Sequence, residues 1–270
     1  MKIGVFDSGF GGLTVLRALL ERIPGAEFLY LGDTARLPYG AKSRETVARY
    51  ATSSARYLVE RGAESLVVAC NTASALALEA MRDAVAVPVL GVVETGANAA
   101  DAQSATRDVL VIATAATVES HAYARACEER RMRALEKACP LLVPLVEEGW
   151  IEHPVTAEVL RIYMTELLAE ARAEELRPDT LVLGCTHYPL LREQIEGAVP
   201  ASLRVIDSAD VTAEQVARTL GGSLVLAEEG GAGSPEARFF ATDSVAKFRT
   251  LGSRFLGRPI DRVELVDLGG

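Results

Sequence analysis

Short apolar runs alternate along this chain with longer stretches whose apolar residues recur every three or four positions. Residues 2–6, 26–31, 65–69, 87–92, 108–113, 180–183 and 203–206 are aliphatic and β-branched, and each is predicted as a short buried strand. Between them the period changes to that of a helix. Val159, Leu160, Tyr163, Met164, Leu167 and Leu168 share one face of a helix predicted to start at Pro154. The arginine-rich stretch 118–137 is also predicted as helix. Strands alternating with helices imply βαβ units, hence an α/β fold of mostly parallel sheets covered on both faces by helices.

The pattern repeats. Leu66-Val67-Val68-Ala69-Cys70-Asn71-Thr72 and Leu181-Val182-Leu183-Gly184-Cys185-Thr186-His187 both run from apolar strand to cysteine to small polar residues. The economical reading is two similar halves, each presenting a cysteine at the carboxyl end of a strand, where open parallel sheets bind ligands. No linker divides the halves; the one Gly/Ser/Pro-rich cluster, 230–235, lies late.

Composition narrows the class. A chain of 270 residues is long enough for two small domains or one large α/β unit, and 49% hydrophobic with 24% charged residues excludes disorder. No apolar run approaches the about 18 residues of a membrane span. The N-terminus turns polar at Asp7, unlike a signal peptide, so a cytoplasmic protein without membrane association is expected. The net charge is −9 and the basic residues are scattered, as in Arg130-Arg131-Met132-Arg133, so nucleic acid is not the expected partner. An anionic small molecule would need local donors, because the overall field does not draw it in.

Candidate chemistry centres on the four cysteines. In a reducing compartment they are expected as free thiols. Cys70 and Cys185 sit where a strand gives way to a helix, and unpaired N–H groups there lower a thiol pKa; the alternative is a small buried hydrophobe. Cys127 and Cys139, within and just after the predicted arginine-rich helix, are read as packing residues. Cys185 and His187 lack the further ligands of a zinc site. His187 remains a proton-handling neighbour. The turn Asp7-Ser8-Gly9-Phe10-Gly11-Gly12 fits neither a dinucleotide nor a P-loop motif; it offers a carboxylate, a hydroxyl and close backbone approach, or simply caps the next helix. Pro38-Tyr39-Gly40 is a turn. Thr114 and Thr117 can hold a carboxylate with helix N-terminal amides, or Thr117 can cap a helix. Glu147 and Glu148 have the look of surface residues.

Asp7-Ser8-Gly9, Pro38-Tyr39-Gly40, Cys70-Asn71-Thr72-Ala73-Ser74 and Gly184-Cys185-Thr186-His187-Tyr188-Pro189 occur in that order, with Phe239-Phe240-Ala241-Thr242-Asp243 near the end. Together they resemble the cofactor-independent glutamate racemases over the whole chain. The resemblance implies two pseudo-symmetric α/β domains, 1–94 plus 207–270 and 95–206, with the active site in the cleft between them. It implies that Cys70 and Cys185 are the two catalytic bases, with Asp7, His187 and Glu147 assisting. Asp7, Ser8, Tyr39, Gly40, Asn71, Thr72, Thr114, Thr117, Thr186 and His187 would bind the substrate, glutamate. No cofactor and no metal are expected. The four lysines Lys2, Lys42, Lys137 and Lys247 lie in no motif-like loop that would hold pyridoxal phosphate. The resemblance further implies supply of D-glutamate for peptidoglycan and a homodimer. Ala113 and Ala116 depart from the family's Gly-Thr-x-Gly-Thr pattern, and their methyl groups are expected to touch the pocket floor. The rivals are a racemase of aspartate or another amino acid, a non-catalytic amino-acid-binding protein, and a thiol redox sensor.

Overall fold

A computed structural model describes residues 1–224 and 236–269; the Gly/Ser/Pro-rich cluster 230–235 lies outside them. In chain order come β1 (Lys2–Asp7), α1 (Leu13–Arg22), β2 (Glu27–Gly32), α2 (Arg44–Glu60), β3 (Ser65–Val68), α3 (Asn71–Ala84), β4 (Val89–Gly91) and α4 (Val92–Gln103). Next are β5 (Asp108–Ala113), α5 (Ala115–Glu119), α6 (Ala122–Glu128), β6 (Arg133–Ala138), α7 (Leu142–Glu147), α8 (Pro154–Ala173), β7 (Thr180–Gly184), α9 (Arg192–Ala198) and β8 (Arg204–Asp207). The chain ends with α10 (Ser208–Leu224), β9 (Ala237–Ala241), α11 (Val245–Leu256) and β10 (Glu264–Leu265).

The strands form two sheets, ordered β10-β9-β2-β1-β3-β4 and β6-β5-β7-β8, and every adjacent pair is parallel. Parallel strands bury both faces under helices, which is why β5 and β7 are buried at every position. The order β2-β1-β3-β4 is repeated by β6-β5-β7-β8, so β3 corresponds to β7, the strands that precede Cys70 and Cys185. In each sheet the order reverses beside the first strand, and ligands of open α/β sheets collect at the carboxyl ends there.

All the strands predicted from apolar runs are present within two residues of the expected ends. Helix α8 buries Leu160, Met164 and Leu167, with Val159, Tyr163 and Leu168 partly covered, as its spacing predicts. The expected helix 118–137 is a correction. It breaks into α5, α6 and the strand β6, because His121 and Arg131 take left-handed φ values of 52° and 59°, the first separating α5 from α6 and the second turning the chain back into β6. At the sheet edge, charged side chains are tolerated in a strand. Arg133 is bound bidentately by Asp108 at 2.7 and 2.8 Å, stitching β6 to β5 at the start of their register. Cys139 therefore follows a strand rather than a helix, and both Cys127 and Cys139 are buried.

The chain crosses between the sheets in α4 and α10, which pack together with a buried 2.6 Å hydrogen bond between the Thr95 and Thr212 hydroxyls. The expected edges at 94/95 and 206/207 fall inside α4 and β8. The lobe carrying β7 is tied to the end of α4 by Asp179. Its carboxylate accepts from Ser104 Oγ at 2.7 Å and from the N–H groups of Ala105 and Thr106 at 2.7 and 3.1 Å. Burial works against its ionisation, but these donors outweigh it and hold the carboxyl at about 2, below the ordinary 3.8. A depressed carboxyl stabilises the fold above its ordinary pKa, and that gain vanishes as pH falls through the folded value. Asp179→Ala should therefore cost about 1–2 kcal/mol at pH 7, discounted for solvent screening. In urea titrations the difference from wild type should shrink as pH falls from 4 towards 2; a gap independent of pH contradicts the assignment.

Candidate active site

The carboxyl ends of the two sheets face each other across a cavity of about 760 Å³. The first lobe brings Ser8, from the turn after β1, and Cys70, Asn71 and Thr72, from the junction of β3 and α3. The second brings Thr114 after β5, Glu147 at the end of α7, and Cys185, Thr186 and His187 after β7. Both thiols thus line one space.

Backbone crowding holds the seam. A Cβ on Gly11 would stand 2.2 Å from Thr186 Oγ1 and 2.6 Å from His187 Nδ1, and one on Gly12 would stand 2.5 Å from Asp7 Cβ. Only glycine lets the turn after β1 approach the second lobe this closely. Thr14 Oγ1 then donates to Gly11 O at 2.9 Å and reaches Thr186 O at 3.3 Å.

Cys70 caps α3, with Ala73 N–H donating to its sulfur at 3.4 Å, while its S–H points at Ser8 Oγ, also at 3.4 Å. The helix end does not lower this thiol as expected. Burial, reinforced by the Asp7 charge, outweighs the donors and pushes it up to about 12. Asp7 stands behind the cavity wall rather than in it. Its Oδ2 accepts from Gly9 N–H at 2.8 Å and its buried Oδ1 has no partner among the described residues. Burial raises its carboxyl against the lowering effects of His187 and the Gly9 and Gly12 N–H groups.

Cys185 differs from the expected strand–helix junction, because a four-residue 3-10 turn, Tyr188–Leu191, precedes α9. Its Sγ lies 3.9 Å from His187 Nδ1; His187 Nε2 lies 3.3 Å from Glu147 Oε1, and Glu147 Oε2 lies 3.6 Å from Lys247 Nζ. Burial lowers His187, but the Cys185 sulfur and the Glu147 carboxylate prevail and raise it to about 10. Glu147 is held below its ordinary value although burial opposes this, because His187 and Lys247 face it. Sequence reasoning missed Lys247: it lies in a helix of the other lobe, and no motif marks it.

Thr72, Thr114 and Thr117 form a triangle of hydroxyls across the seam, at 3.0, 2.9 and 3.3 Å. Thr114 lines the cavity; Thr117 is fully buried behind it and supports the other two. The Tyr39 ring borders the cavity, but its hydroxyl donates to buried Asp33, which also accepts from Arg36 Nε at 2.8 Å and Thr242 Oγ1 at 2.9 Å. The Tyr39 hydroxyl is therefore directed into this network, whose anchor Asp33 gave no sequence signal. Gly40 passes so near Thr114 that a Cβ would meet its Cβ at 3.1 Å. Of the two departures from the family pattern, Ala116 lines the cavity, whereas the Ala113 methyl faces Gly184. Among the described residues, no three His, Cys, Asp or Glu side chains are grouped to hold a metal, and no helix is long and apolar enough to cross a membrane.

The family model for Asp/Glu/Hydantoin racemase matches residues 3–216. The chain belongs to this family. It is 54% identical to a glutamate racemase of Koribacter versatilis, over 99% of this chain and 98% of that one. It superposes with a TM-score of 0.88 on the glutamate racemase of Francisella tularensis in complex with D-glutamate, at 34% identity over 99% of this chain and 97% of that one. The glutamate racemase of Thermus thermophilus in complex with β-chloro-D-alanine matches with a TM-score of 0.84 and 43% identity, over 99% and 97% of the two chains.

For this racemase-family chain, the raised His187 yields a direct test. The ring is an imidazolium at neutral pH, and its contribution to stability is complete below pH 6.5 and lost as pH rises through about 10. Histidine NMR titration should place its midpoint far above 6.5, and Glu147→Gln should move it down by at least about one unit. A wild-type midpoint below 7 contradicts the Cys185–His187–Glu147 chain.

Proposed function

We propose that this protein is a glutamate racemase in which Cys70 and Cys185 exchange protons with opposite faces of the substrate Cα. The observation that carries this reading is the lining of one cavity by two thiols, each from the carboxyl end of a separate parallel sheet. Inversion needs a base on one face and an acid on the other, and two topologically equivalent strands supply them.

In one direction, a Cys70 thiolate takes the Cα proton while the Cys185 thiol gives its own proton to the opposite face. The pair ends with the protonation states exchanged, ready for the reverse reaction. The His187 imidazolium, beside Cys185 and backed by Glu147, stabilises the sulfur when it carries charge. Asp7, whose burial lets it hold a proton more readily, assists on the Cys70 side. The carbanion spreads its charge onto the substrate carboxylate, where Asn71, Thr72, Thr114 and Thr186 supply donors in a site partly shielded from water. In a chain of net charge −9 these local groups hold an anionic substrate. Ser8, Tyr39 and Gly40 complete the walls, and Thr117 acts through Thr72 and Thr114. The Koribacter, Francisella and Thermus relatives, each named a glutamate racemase, support glutamate as the substrate. With this reading go the domain division at 1–94 plus 207–270 and 95–206, a cytoplasmic site of action, supply of D-glutamate for peptidoglycan, and a homodimer.

Purified protein incubated with L-glutamate in D2O, without added cofactor, should lose optical rotation while the D-glutamate formed carries deuterium at Cα. Cys70→Ser and Cys185→Ser should each lower this turnover by about 10²–10⁴-fold. Near-full racemisation by either variant overturns the two-thiol mechanism, and wild-type protein inert towards glutamate overturns the substrate.

A further inference from the structure

Tyr123 lies on α6 of the second lobe and is fully buried, in a cluster with Val93, Ala97, Val111 and Val182. Its ring has little freedom. A Cβ on Gly96 of α4 would stand 3.1 Å from both Cε1 and the hydroxyl oxygen, and one on Gly184, the residue before Cys185, would stand 3.0 Å from Cε2. From this slot the hydroxyl crosses the seam and donates to Asn71 Oδ1 of the first lobe at 2.7 Å.

Asn71 lines the cavity beside Cys70 and is only 3% exposed; its Nδ2, covered from solvent while the lobes are closed, has no hydrogen-bond partner among the described residues. An amide can present either its oxygen or its NH2 to a neighbour, and the partner's chemistry decides. Burial raises the Tyr123 phenol well above its ordinary value, so it stays protonated and acts as a donor. The Asn71 oxygen is its hydrogen-bond acceptor in the structure. Turned the other way, the amide would leave both the Tyr123 proton and its own oxygen without this bond, at the cost of an unmet buried polar group.

We propose that Tyr123 is a positioning residue of the active site, whose hydroxyl fixes the Asn71 amide so that Nδ2 is the donor offered to a substrate carboxylate oxygen. This rests on the cavity being the glutamate site. The bond joins the two lobes, so the donor is oriented when they are closed. No sequence motif marks Tyr123, because its slot is built by Gly96, Gly184 and Asn71 from three separate parts of the chain.

Tyr123→Phe keeps the ring and removes only the hydroxyl. It should lower kcat/KM for both glutamate enantiomers about tenfold, the scale of one buried hydrogen bond, while the melting temperature stays within a few degrees of wild type. In an Asn71→Ala background the same change should alter kcat/KM less than about twofold, because nothing remains to orient. Full additivity of the two substitutions overturns the proposal. NMR provides a readout that does not require turnover. The Asn71 side-chain NH2 signal, identified by its loss in Asn71→Ala, should shift in Tyr123→Phe, and an unmoved signal overturns the proposal. Wild-type turnover in the same assays reports separately on the glutamate reading.

Discussion

Exclusion of water from the seam between the facing carboxyl ends of the two sheets is the condition on which the site depends. Burial there raises the Cys70 thiol and the Asp7 carboxyl, overriding the helix end that alone would favour a thiolate. A charge in such a place has to be matched by specific neighbours, and the structure supplies them unevenly. Cys185 has the imidazolium of His187, itself held by Glu147, whereas Cys70 has Ser8, one backbone N–H and a carboxyl that opposes its ionisation. The two sulfurs occupy equivalent strands but not equivalent fields.

Much of the fold was legible because parallel strands buried on both faces have to be apolar runs, and β1, β3, β5 and β7 are such runs. The edges were harder to read. Strand β6 starts just after the Arg131 turn and carries Arg133, Glu136 and Lys137, so it reads as a continuation of the preceding helix; β9 and β10 lie at one margin of their sheet and carry the charged pair Arg238 and Glu264. Within the site, residues in motifs were legible: Cys70, Asn71, Thr72, Cys185 and His187 all border the cavity. Supporting groups were not. Tyr123 and Lys247 act on residues far away in sequence, and Asp33 is completed by Thr242 from the far end of the chain, so their meaning exists only once the strands are ordered. The helix-end argument for a low thiol pKa failed at Cys70 because sequence shows a neighbouring helix but not the depth of burial.

Several of the polar bonds that shape the cavity cross from one lobe to the other. Thr14 reaches Thr186, Thr72 reaches Thr114 and Thr117, Asn71 receives from Tyr123, and Lys247 faces Glu147. Neither lobe alone contains a complete set of oriented donors. The substrate-binding surface and the closed arrangement of the lobes are therefore one thermodynamic object, coupled through the packed pair α4 and α10.

The nesting of one sheet within the other also orders events during synthesis. The four strands β5 to β8 are contiguous in the chain, so the second sheet has all its partners before residue 236 is made. The first sheet does not. Strand β2 keeps an unpaired edge until β9 arrives, and the Phe10 and Tyr30 rings lack the Phe248 ring that packs against both at 5.7 and 5.9 Å. A nascent chain that emerges N-terminus first thus carries a second lobe able to finish and a first lobe still waiting. The Thr242–Asp33 bond behind Tyr39 and the Lys247–Glu147 pair behind His187 form only once β9 and α11 have been made.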